Sequence, residues 1–285
     1  MSRPSFVKLA AIAFLPLFVA ACFFMPGKFV SNLNVDKNGQ FNFAYKGEII
    51  AMSGDDMMGE LGKSSDEDEE FIASCSTDDG EERDCTAKET AEQKKEWDAA
   101  KPERDKARAD KKKEDAEKTA MLMGFDPNDP KSVDAFIAKL TKQKGWNSVV
   151  HKGHGVFDVD YAISGSLDHN FSFPNIPDAA MAVPMVELTV RKDGSVAVAA
   201  PGFGLNEEQS RSKSLMGAAM ADAAKEGNAP AGVMDGTFTV TTNGEVLTNN
   251  TEDGPTSSGK TKSMTWKVTP QSTRRPETLI RLDKR

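Results

Sequence analysis

Cysteine is scarce in this 285-residue chain, which holds three: Cys22, Cys75 and Cys85. Histidine is as rare, and His151, His154 and His169 fall within one stretch of 19 residues. There is no G-x-S-x-G, no H-E-x-x-H and no dinucleotide fingerprint. The familiar routes to a serine nucleophile, a catalytic zinc or a nicotinamide cofactor are therefore not written in the chain, and no cofactor is expected. After the first 22 residues no apolar run approaches the ~18 residues that a spanning helix needs. No period of the kind that builds repeat arrays recurs, and sustained a/d heptads are missing. A basic surplus is absent too: the formal charge is −8, so nucleic-acid binding finds no support.

What is present begins at the N-terminus. Arg3 and Lys8 supply positive charge, Leu9 to Ala21 is a short apolar core, and Val19-Ala20-Ala21-Cys22 closes it with small residues before a cysteine. As a helix, Leu9–Ala21 would rise only about 20 Å, too short for a hydrocarbon core of about 30 Å, and Pro16 interrupts it. A charged start, a short apolar run and a small-residue site mark a cleaved export signal rather than a span. The ending resembles the lipobox of bacterial lipoproteins. That resemblance implies residues 1–21 as signal peptide, cleavage before Cys22, and acylation (palmitate among the chains) of the Cys22 sulfur and its new amine. One acyl chain binds a membrane marginally, whereas two or more hold it stably. Phe23 stands where enteric inner-membrane lipoproteins carry Asp, which resembles sorting to the outer membrane. The expected location is the cell envelope, with the body facing the periplasm.

Charge is unevenly spread. Residues 64–85 carry ten acids against Arg83 alone, so the rest of the chain is close to neutral. Cys75 and Cys85 flank part of this acidic loop, and two thiols at that spacing in an oxidising compartment read as a disulfide rather than as free thiols. From Thr86 to Met123 the composition is helical, with ten acids and eleven bases over 86–118 and mostly alanine at the apolar positions. One or two solvated helices are expected there, broken or kinked at Pro102. Residues 51–123 thus read as an acidic loop plus charged helical insertion.

On either side of it, 22–50 and 124–285 read as one domain. Phe29, Leu33 and Val35 share a parity, as do Phe41, Phe43 and Tyr45, and a Lys37-Asn38-Gly39 loop would set Val35 opposite Phe41 and Leu33 opposite Phe43. Over 130–144, Asp129 as cap, Pro130 and the stripe Val133, Phe136, Ile137 and Leu140 predict a helix packed on the sheet, with Gly145 as its stop. Strands are expected at 146–150 and 156–167. Around Lys192-Asp193-Gly194, Val190 should face Val196 and Leu188 face Val198. Residues 206–226 predict a Met- and Ala-rich helix. Asn243-Gly244 signals a hairpin between 237–242 and 245–248, and final strands fall at 264–268 and 278–282. The fold class expected is α+β: an antiparallel sheet built from hairpins, helices on one face, with the charged helical insertion.

Candidate chemistry is thin. His154, Asp158 and Asp160 could share one strand's polar face, with His151 and His169 near, but a solvated face explains that pattern and no metal site is expected. The acidic loop lacks calcium-loop spacing. The helix at 206–226 beside the Pro-rich 171–184 segment could line an apolar pocket, though an ordinary core helix is the favoured explanation.

A further resemblance rests on two parts. One is C-F-F-M-P-G-K-F-V-S-N-L-N-V-D-K-N-G from Cys22 with Tyr45-Lys46-Gly47-Glu48. The other is T-V-T-T-N-G-E-V with Met264-Thr265-Trp266. Together, over about a third of the chain, they resemble the LppM-type envelope lipoproteins. That family implies an α+β domain that binds envelope lipids or glycolipids. The chain departs from it in the 51–123 insertion and in carrying no membrane helix after Trp266. The expectation is a lipid-anchored protein without catalytic activity that binds a lipid or glycolipid. Its alternative is an envelope scaffold contacting a protein or cell-wall partner through the insertion. Arg274, Arg275, Arg281, Lys284 and Arg285 are expected to touch anionic headgroups.

Overall fold

Alternation of apolar and polar residues along the first hairpin dictates a sheet with one buried face, and the rest of the body grows from that hairpin. A computed structural model describes residues 23–52, 71–77, 80, 82–179, 183–204 and 234–283. The signal segment 1–21, Cys22 and the helix expected at 206–226 lie outside the described residues. In chain order come β1 (Phe23–Val35), β2 (Gln40–Met52), β3 (Cys75–Ser76) and β4 (Glu82–Arg83), then α1 (Ala87–Ala99), α2 (Lys101–Met123) and α3 (Pro130–Leu140). They are followed by β5 (Trp146–Gly153), β6 (Val156–Ser166), β7 (Phe171–Phe173), β8 (Val186–Val190), β9 (Ser195–Ala199), a 3-10 turn (Pro201–Phe203), β10 (Asp235–Thr242), β11 (Glu245–Asn249), β12 (Thr256–Ser258), β13 (Thr261–Val268) and β14 (Glu277–Arg281). The described chain is thus sheet-rich, with some helices.

Two large sheets face one another. One runs β12-β13-β10-β1-β2-β6-β5 and the other β11-β14-β9-β8-β7. The first hairpin has the expected register, Val35 on Phe41 and Leu33 on Phe43, with Gly39 at φ 79° in the loop. A left-handed residue is needed there, and glycine takes it without a Cβ penalty. The β8–β9 hairpin likewise pairs Val190 with Val196 and Leu188 with Val198. A register shift between Pro26 and Phe29 brings Phe29 across Gly47, where a Cβ would meet the Lys28 carbonyl and Phe29.

Two expectations need correction. The larger sheet is not wholly antiparallel: β1 and β10 run parallel, Lys28 on Asp235 through Val35 on Thr242. Asn243-Gly244 is not a hairpin turn either. β10 pairs with β1 and β13, whereas β11 pairs with β14 in the other sheet. Here Thr242 is fully buried and its Oγ1 accepts from the Gly244 N–H at 2.9 Å, while the Asn243 side chain accepts from the Lys37 N–H at 2.7 Å. These contacts turn the chain at a corner between sheets, which tertiary packing selects over the local hairpin preference. In the polar segment after β11, β12 pairs with β13.

Aromatic rings fill the space between the sheets. Phe203 lies 4.4 Å from Phe29, Phe173 lies 5.1 Å from both Phe43 and Tyr45, and Phe171 lies 5.0 Å from Phe41. Each such ring pair adds about 0.5–1.5 kcal/mol beyond its buried area. Beside the second sheet, α3 covers the same inner face: Phe136 stacks 4.1 Å from Phe125 and 6.3 Å from Phe24, with Val133 and Leu140 also buried. Asp129 caps α3 by accepting from the Lys131 N–H at 3.1 Å; the helix ends at Leu140, before Gly145. The body also claims both ends of the charged segment, since β2 extends to Met52 with Ala51 buried, and Met123 is fully buried.

Candidate functional site

The opposite face of the larger sheet is built by the same alternation. If Leu33, Phe43 and Ile163 turn inward, their neighbours turn out. The ladders set Asn34, Asn42 and Ser164 in one row across β1, β2 and β6, and Asn32, Ala44 and Ala162 in the next. Beyond them, Lys46 and Asp160 pair at 3.7 Å in the row that follows. Two alanines between taller rows leave a depression of about 520 Å³, open to solvent, with Lys144 on its rim. Lys144 is held there because the adjacent Gly145 carbonyl accepts from the Ala162 N–H at 2.9 Å.

The trough has unused hydrogen-bonding capacity. Asn34 donates to Thr241 Oγ1 at 2.9 Å, which leaves its carbonyl oxygen open. Asn42 accepts from the Ser164 hydroxyl at 2.7 Å, which leaves its two amide hydrogens open. Among the described residues, the Asn32 amide and the Lys144 ammonium make no hydrogen bond or ion pair. Farther along the face stand Thr237, Thr239 and Thr241 of β10 and Ser263 and Thr265 of β13, small hydroxyl side chains that keep the surface low.

The strand directions give the body two ends. Phe23 opens β1, so the end of the sheet with Phe23, Asp235 and Val268 lies next to Cys22 in the chain, and the 36–40 loop marks the far end. Asn32 is nine residues along β1 from Phe23, about 30 Å at about 3.3 Å per residue. The trough therefore sits toward the far end.

Other expected sites separate. Cys75 and Cys85 are bonded, with S–S 2.05 Å and Cα–Cα 5.3 Å. Their loop docks on α1: Ser74 and Gln93 exchange hydrogen bonds of 3.1 and 2.9 Å, and Arg83 forks onto Glu89 at 3.0 and 2.6 Å. Glu89 also completes a capping box with Thr86. The Arg83 guanidinium first, then Thr86, hold the Glu89 carboxyl down at about 2. Arg104 stacks 3.6 Å over Trp97, which itself lies 6.2 Å from Phe71. The predicted break falls at Ala100, with Pro102 in the first turn of α2.

The histidines face three surroundings. His151 stacks 4.9 Å from Phe157 with its Nε2 buried and unpartnered, His154 sits in the β5–β6 turn, and His169 is exposed after β6. Asp158 pairs with Lys152 at 3.6 Å, and Asp160 with Lys46. Among the described residues no group of three or more His, Cys, Asp or Glu is placed to hold a metal ion. Of the basic residues near the C-terminus, Lys284 and Arg285 lie outside the described residues, and Arg275 and Arg281 stand apart. Arg275 pairs with Glu277 at one end of β14, whereas Arg281 pairs with Glu245 at 2.7 Å at the other. Among the described residues no helix is long and apolar enough to cross a membrane.

Sequence reasoning missed the trough. One signal was available: the expected hairpin register already set Asn34 opposite Asn42, off the buried parity. The third strand comes from pairings distant in the chain, as with Ser164 on Asn42 at a separation of 122, and Lys144 arrives with it through the bond between Gly145 and Ala162. No family model matches the chain, and no curated protein or solved structure matches it.

Proposed function

We propose that this chain is a lipid-anchored envelope protein without catalytic activity, held by acyl chains on Cys22, whose body binds a lipid or glycolipid. The observation that carries the reading is the start of β1 at Phe23, directly after Cys22. An anchor there feeds into an inner strand of the larger sheet with no linker, so the body is fixed close to its leaflet. The trough favours the headgroup part of a glycolipid over its acyl chains, because three carboxamides, a hydroxyl and an ammonium line it, with Ala44 and Ala162 the apolar side chains of this parity. Palmitate labelling and fractionation of the envelope test it. The native chain should label and stay with membranes, and Cys22→Ser should move it to the aqueous wash. A Cys22→Ser chain that remains membrane-bound, beside a native chain that takes no label, overturns the reading. Native mass spectrometry of the extracted protein then reads the bound lipid.

A second reading, an envelope scaffold, is favoured by one feature. No residue of α1 is buried, and α2 buries only Met123, so these helices offer most of their surface to a partner. A stoichiometric protein or cell-wall partner lost on deleting 53–122 would support it.

A further inference from the structure

We infer that the trough between Asn32, Asn34 and Asn42 on one side and Ser164 and Lys144 on the other is a saccharide-binding site; this deepens the reading above and rests on it for its place in the envelope. The chemistry comes first. A carboxamide offers a donor and an acceptor in one plane, the pattern that adjacent sugar hydroxyls satisfy together. Three such side chains converge here, and two of them are turned by Thr241 and Ser164 so that complementary groups remain open: a carbonyl on Asn34 and an amino group on Asn42. Asn32 and Lys144 add donors with no partner among the described residues. The Ala44 and Ala162 methyls lie where the C–H face of a ring would rest.

The geometry excludes the nearest competitors. The backbone groups of β1, β2 and β6 are committed to their ladders, so an added peptide strand has nothing to pair with on this face. Phe43 and Ile163 line the trough but belong to the inward parity, and the Ala44 and Ala162 methyls that share its outward parity are too small to cover an acyl chain. One lysine without an aromatic platform is a poor seat for single-stranded nucleic acid. Rows two residues apart along a strand are about 7 Å apart and neighbouring strands about 5 Å, so the trough accepts a sugar ring or two. Lying about 30 Å along β1 from the anchor side, it is placed for a saccharide beyond its own headgroup layer. A cell-wall glycan and the sugar of a glycolipid in a facing membrane share this chemistry.

The test uses the full acylated chain in detergent micelles, with chitotetraose bearing N-acetyl groups and mannotetraose as probes, read by saturation transfer to the sugar protons. At least one tetrasaccharide should bind, in the millimolar range or tighter. Ala162→Phe, which fills the floor with a strand-favouring side chain, and Asn42→Ala, which removes the open donors, should each weaken it about ten-fold. Both positions are exposed, and unchanged circular dichroism of the variants guards against misfolding. No transfer from either sugar, or binding that survives both substitutions in folded protein, overturns the inference. Phosphatidylglycerol vesicles doped with a monoglucosyl diacylglycerol separate the sources. Displacement of the bound tetrasaccharide by doped but not plain vesicles supports the trough with a glycolipid source; equal indifference to both vesicles supports it with a free glycan. Loss of sugar binding would leave the Cys22 experiment standing, and failure of that experiment would leave sugar binding standing, so the two claims fail separately.

Discussion

The two-sheet body and the helical arm of α1 and α2 are held together by opposite means. In the body, residues such as Phe203, Phe173 and Tyr45 are buried completely, and their rings touch across strands far apart in sequence. In the arm, α1 buries nothing, and its contacts are a disulfide, a capping box, a cation over an indole and ion pairs four residues apart, such as Lys118 with Glu114 at 2.8 Å. Exposed pairs of that kind contribute about 0–1 kcal/mol. The difference teaches that a helix need not reach the core to be specified, provided its local terms agree; but its stability is then local as well. The body should unfold as one unit, and the arm should fray in pieces.

Four experiments press on that contrast. The largest effect is expected from Phe203→Ala, which removes a fully buried ring packed against Phe29, Tyr45 and Phe238. It should cost about 3–5 kcal/mol in urea unfolding followed by near-ultraviolet circular dichroism. A loss under 1 kcal/mol would mean that the body is not one cooperative core. Next is the paired substitution Cys75→Ser with Cys85→Ser. Opening a loop of sequence separation 10 releases roughly 2–3 kcal/mol of constraint in the chain-entropy account. Amide protection should fall over 71–90, while the urea midpoint of the body stays where it was. A shifted body midpoint would erase the distinction between the two regions. Arg104→Ala comes third: it removes the stack on Trp97 and a 2.7 Å hydrogen bond to the Trp97 carbonyl, and should cost about 1 kcal/mol, seen as faster exchange around Ala100 only. The smallest effect is in acid. Glu89 is held at about 2 against an ordinary 4.5, so its contribution is complete above about 4.5 and is lost as pH falls toward 2. The start of α1 should loosen across that window before the body does, and Glu89→Gln should flatten the dependence.

Which parts of this were legible beforehand follows the same divide. Hairpins with short loops were readable because turn chemistry and alternation fix register locally, as Lys37-Asn38-Gly39 and Lys192-Asp193-Gly194 did. The charged helices and their break near Pro102 were readable for the same reason. The parallel β1–β10 pairing was not, since it joins Val30 to Thr237 with no local signal for it. Asn243-Gly244 misled because its hairpin preference is weaker than the pull of two sheets on the strands it connects. The disulfide was written in the spacing of Cys75 and Cys85, read with the expectation of an oxidising compartment. The trough was half written, in Asn34 opposite Asn42, and half assembled by the distant β6.

β1 has one more consequence. It is bordered on both sides, by β2 through eleven register partners and by β10 through eight. If Cys22 carries the proposed acyl chains, any tug from the membrane runs lengthwise down this strand. The ladders on either flank then bear the load in shear, many bonds at once, rather than opening one after another like a zip. A protein tethered in this way is mechanically strongest where it is fastened.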